Sequence, residues 1–68
     1  MALSELQRHI VAGLRICKLS KGNIVLAGLL LETEAQQWEM AEYLYRVVQN
    51  PPGEETIMDK VRQITTPK

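Results

Sequence analysis

The chain carries one cysteine, one histidine, one tryptophan and no phenylalanine, and its eight acids cancel its eight bases. Each scarcity excludes something. A lone cysteine, Cys17, rules out an intramolecular disulfide and a cysteine-based zinc site. Zero net charge withdraws the bulk attraction that recruits nucleic acid or an anionic membrane. The longest apolar run, Ile24 to Leu31, is eight residues, less than half of the roughly 20 needed to cross a bilayer. The glycines stand apart and no GK[ST] follows any of them, so no phosphate loop is present. The first residues, Met-Ala-Leu-Ser-Glu-Leu, lack the basic and apolar regions of a secretion signal, and a reducing cytosol is the expected compartment.

Catalysis finds little support. Nucleophilic chemistry needs a base beside a nucleophile. His9 and Cys17 are eight residues apart, roughly 12 Å along a continuous helix, so they cannot cooperate; His9 reads as an edge residue near Glu5, and Cys17 as a buried thiol. Glu32, Glu34, Glu39 and Glu42 invite a paired-carboxylate reading, but such pairs need an enclosed cleft to separate their pKa values. Here Glu39 and Glu42 fall on a polar strip. The expectation is a non-enzyme with no metal and no cofactor.

What is present is helix grammar. Sixty-eight residues, 46% of them apolar and 24% charged, make one small globular domain over 1–68. Ser4, with Gln7 three residues on, starts a helix, and Leu6, Ile10, Gly13, Leu14 and Cys17 share one stripe of it. Ser-Lys-Gly-Asn at 20–23 reads as its stop, with Gly22 as the left-handed residue after the helix. Ile24–Leu31 is apolar all round. A short buried helix capped by Asn23 is the favoured reading, and a hairpin joining 15–19 to 24–28 is the alternative. Thr33 and Gln36 form a second capping box.

The helix that follows carries a seam of Trp38, Ala41, Tyr45 and Val48, widened by Met40, Leu44 and Val47. A helix apolar over more than half its circumference is expected to pack on several sides. Pro51 and Pro52 end it. Glu54 and Glu55 then open a last helix, where the positive helix end favours them. The predicted fold is all-α: a compact bundle of four helices near 4–19, 23–31, 33–49 and 54–65, the third central, with residues 65–68 frayed.

From Ile24 on, Leu-Leu-Leu-Glu-Thr-Glu-Ala-Gln-Gln-Trp-Glu-Met, followed by Tyr-Leu, Asn-Pro and Ile-Met-Asp-Lys, resembles small uncharacterised helical proteins of bacteria. The resemblance implies a bacterial origin and an all-α fold, and it brings no functional residues with it.

The functional expectation rests on surplus apolar surface. A domain of this size hides only about 60% of its unfolded surface, so some of these residues must stay exposed in a monomer. The chain is read as a helical protein-interaction or regulatory module that pairs with a partner or with a second copy. Ile16, Leu19, Tyr43 and Trp38 are the candidate interface residues. Tyr43, nearer the polar strip, is the aromatic expected to be exposed, while Trp38 and Tyr45 also suit the core. The alternative is a small DNA-associated accessory protein using Arg8, Arg15, Lys18 and Lys21. Up to Glu32 the chain has four bases against two acids, and from Thr33 six acids against four bases.

Overall fold

In the computed structural model, which describes residues 4–67, four helices follow one another: α1 (Glu5–Ile16), α2 (Lys21–Leu30), α3 (Glu34–Val47) and α4 (Glu54–Thr65). No strand occurs among the described residues, so 15–28 is helix, turn and helix and not a hairpin. The helices pack in a closed ring, α1 on α3, α3 on α4, α4 on α2 and α2 on α1. The most extensive interface is that of α3 with α1. In neighbours, however, α3 has two like every other helix, and part of its broad apolar surface is left uncovered.

The starts of α1 and α3 follow their sequence signals. Ser4 accepts the Gln7 N–H while Gln7 returns a bond to the Ser4 N–H, and Thr33 and Gln36 do the same for α3. Two of the four orphan donors at each helix start are satisfied locally in this way. Thr65 is the last residue of α4, half-buried, and its hydroxyl donates to the Val61 carbonyl at 2.8 Å. Lys68 lies outside the described residues.

The link between α1 and α2 departs from expectation. Helix α1 ends at Ile16, and the left-handed residue is Lys18, with φ 64°; no glycine has positive φ among the described residues. The Leu19 N–H donates to the Leu14 carbonyl at 3.1 Å and the Lys18 N–H to the Arg15 carbonyl at 2.9 Å. This is a Schellman ending, and the two positions that usually meet in one, here Leu14 and Leu19, are both buried in the core. Leu19 is therefore core, 7% exposed, and cannot serve as the interface residue the sequence suggested. A reversal closed at residue 18 leaves Ser20 as the N-cap of α2, with its hydroxyl accepting the Asn23 N–H. Gly22 is thereby a residue of α2 and no terminator.

A lysine in the left-handed region costs about 1 kcal/mol or more relative to glycine. Lys18→Gly is accordingly expected to stabilise the fold by about 0.5–1 kcal/mol in urea denaturation, although glycine looks disruptive there on helix propensity. An unchanged or lowered midpoint would refute the Schellman assignment.

The α2 start is also held from outside. One Glu54 carboxylate oxygen accepts from the Ser20 N–H and the Ser20 hydroxyl, each at 2.9 Å, and from the Asn23 amide. Glu54 thus serves two helix N-termini, its own and that of α2. The Ser20 N–H, then the Asn23 amide and the Ser20 hydroxyl, hold its carboxyl below the usual range. Because the folded pKa is lowered, the stabilisation is present above the ordinary glutamate value near 4.5 and is lost as pH falls through the folded value. Glu54→Gln should therefore lower Tm at neutral pH, with the gap to the parent narrowing steadily below about pH 4. A gap that is constant from neutral to strongly acidic pH would show that the carboxylate charge contributes nothing.

The core is wholly apolar. Ile10, Leu14, Cys17, Leu19, Ala27, Leu31, Met40, Leu44, Ile57, Met58 and Val61 are buried, with no polar or charged residue among them. Burial pushes the Cys17 thiol above its ordinary pKa, which suppresses the reactive thiolate. Helix α2 is not the buried element its composition suggests. Only Ala27 along it is fully buried, while Val25, Leu26 and Leu29 face outward.

Candidate functional site

Where α1 meets α3, small residues face each other. A Cβ built on Gly13 would stand 3.1 Å from Leu44 Cδ1 and 3.3 Å from Leu44 Cβ, so any side chain here crowds Leu44 and the neighbour must give way slightly. Ala12 on α1 and Ala41 on α3 continue the low relief. Beyond them the walls rise: Ile16 from α1, Trp38 and Tyr45 from α3. The result is an open groove of about 830 Å³ between the two helices.

The wall residues are exposed to an extent unusual for their chemistry, with Ile16 at 59%, Trp38 at 54% and Tyr45 at 83%. Trp38 and Tyr45 lie seven residues apart on α3, two turns and roughly 10 Å along one face. The seam of Trp38, Ala41, Tyr45 and Val48 lines the groove, and the core is built instead from the neighbouring positions Met40 and Leu44, with Val47 packed against them.

The aromatic assignments are thereby reversed. Tyr43, expected to be exposed, is half-buried against the core, and the Lys60 ammonium sits 5.5 Å from its ring centroid. Its burial comes from α4 packing on that side of α3. Of the four candidate interface residues, the structure brings Ile16 and Trp38 to one surface and withdraws Leu19 and Tyr43. Tyr45 joins them, as does His9 on the α1 wall. Ala41 and Tyr45 in the groove directly follow the core residues Met40 and Leu44, and this adjacency is why sequence periodicity alone did not separate the two seams.

The electrostatics of the groove are one-sided. Glu5, Glu34 and Glu42 line it, and no described lysine or arginine does. Among the described residues the ion pair found is Arg62 with Asp59 at 2.9 Å, on α4. Among the described residues neither Glu5 with His9 nor Glu42 with Arg46 pairs, and none of the three groove acids takes part in an ion pair.

The bases singled out in the sequence are all exposed, and two of them come together on the α1–α2 side. Arg15 and Lys21 flank a shallow hollow floored by Leu19, Ile24 and Val25, and Arg8 does not reach it. No group of three or more His, Cys, Asp or Glu side chains converges on a possible metal position among the described residues. No helix of the described residues is long and apolar enough to cross a membrane. No family model matches the chain, and neither the curated proteins nor the solved structures contain a significant match to it.

Proposed function

We propose that this protein is a non-enzymatic interaction module whose α1/α3 groove receives an amphipathic helix of a partner protein. The observation that carries the reading is the exposure of Trp38 and Tyr45 along one wall of an apolar groove, when the same helix has a fully buried seam beside it. Tryptophan and tyrosine on a rigid helix are the side chains that most often dominate binding energy at interfaces. The shape suits a helix. From Glu5 to Ile16 the α1 wall runs roughly 16 Å at 1.5 Å per residue, long enough for anchors at i, i+3 or i+4 and i+7 of a docked helix.

Selection from a displayed library of helical peptides against the full chain tests this. Enriched peptides should carry apolar residues at helical spacing, and their binding should fall at least tenfold for Trp38→Ala and Tyr45→Ala. Those substitutions should leave the unfolding midpoint near that of the parent, because both side chains are largely outside the core. A library that yields no binder, or binders indifferent to both changes, would sink the reading.

A further inference from the structure

We propose that the helix received by the groove is cationic and comes from another protein, not from a second copy of this chain. The inference rests on the groove reading above and adds the partner's chemistry. Glu5 lies on the α1 wall and Glu34 and Glu42 on the α3 wall, so carboxylates border the apolar floor on both sides. Among the described residues no lysine or arginine lines the groove, in a chain whose overall charge is zero. The negative border is thus local: Arg8 and Arg46, on the same two helices, do not line the groove, and Arg15 and Lys21 belong to the hollow on the α1–α2 side.

Two occupants are compared by that charge. In an isologous dimer the same patch meets itself. Groove against groove would bring together two patches that each carry Glu5, Glu34 and Glu42 and no lysine or arginine, and like charges brought together oppose docking. A helix with apolar residues on one face and lysine or arginine flanking them places its apolar face between Ile16, Trp38 and Tyr45 and its cations beside the three carboxylates. The apolar contact supplies affinity, while the charges set orientation and exclude acidic helices.

The chain holds a single tryptophan, Trp38, so its emission reports occupancy of the groove without a label. The test titrates the full chain with a synthetic leucine/lysine amphipathic helix of about four turns, and in parallel with a leucine/glutamate helix with the same leucine positions. The lysine peptide should bind saturably, shift Trp38 emission to shorter wavelength, and weaken as salt rises and the Debye length shrinks. Combined Glu5→Gln, Glu34→Gln and Glu42→Gln should lower its affinity about tenfold, three exposed pairs acting together. Glu39→Gln, on α3 but outside the groove, should change it by less than about twofold.

Equal binding of the glutamate peptide, or equal losses from Glu39→Gln and from the groove triple, would overturn the charge inference and leave the groove reading standing. Trp38 emission unmoved by either peptide would remove both. A concentration-dependent dimer in sedimentation equilibrium that Ile16→Asp disrupts would make a second copy the occupant and overturn the assignment to another protein.

Discussion

Leu14→Ala is expected to destabilise the protein by about 3–4 kcal/mol, much of the roughly 3–10 kcal/mol available to a chain of this size. Leu14 is completely buried, and truncation removes its transfer energy and leaves a cavity that the surrounding helices fill only in part. It also removes one of the two buried leucines of the Schellman ending, loosening the turn that positions Ser20 for α2. Urea denaturation followed by helical circular dichroism measures the loss. Ile16→Ala, two residues on but on the groove wall, should shift stability by no more than about 0.5 kcal/mol. A Leu14→Ala loss below about 1 kcal/mol would mean that the α1 core face has been misassigned.

Gly13→Val is the second large effect, a destabilisation of about 2–3 kcal/mol. A Cβ at this position meets Leu44 at 3.1 and 3.3 Å. The Leu44 Cδ1 atom can swing toward the groove, but its Cβ moves only with the α3 backbone, so the helices must separate. Gly13→Ala should cost much less, because the roughly 1 kcal/mol that alanine gains in a helix interior offsets part of the crowding. Gly28 is the control. Nothing lies within 4 Å of a Cβ built there, and Gly28→Ala should stabilise by about 1 kcal/mol. The same unfolding measurement reads all three, and a Gly13→Val variant as stable as the parent would show that α1 and α3 are not in close approach.

These two glycines show where sequence reading stops. Both sit inside helices and both carry the same intrinsic cost, yet one is crowded by a leucine 31 positions away and the other faces open space. Local signals carried well elsewhere. The Ser4–Gln7 and Thr33–Gln36 boxes start their helices as read, because a capping box is complete within four residues and needs no tertiary partner. Helix α3 stops at Val47, two residues short of the expected 49 and four before Pro51, and α4 covers the expected 54–65.

The α1–α2 turn was misread for a definable reason. Glycine is the common left-handed residue, and Gly22 drew the helix end toward it. The burial of Leu14 and Leu19 in the core closes the reversal four residues earlier and holds Lys18 in the strained conformation. Nor was the Ser20 cap visible in full, since half of its network comes from Glu54, 34 residues on. The groove was legible only as an ambiguity. Helix α3 offers two apolar seams, and the stripe of α1 that carries His9, Ala12 and Ile16 adjoins its core stripe.

By itself, the sequence favoured an all-helical fold over one with a hairpin at 15–28, and determined where three of its four helices begin and that its apolar content exceeds what a small monomer hides. Those are consequences of backbone hydrogen-bond accounting and composition, which act over a few residues. Only the tertiary structure decided which seam of α3 is core and which lines the groove, that Tyr43 is covered while Trp38 and Tyr45 are not, and that three carboxylates gather along one opening. Each of those outcomes depends on how closely α1 approaches α3 and on which side α4 packs, and distances between helices are set by side chains far apart in the chain.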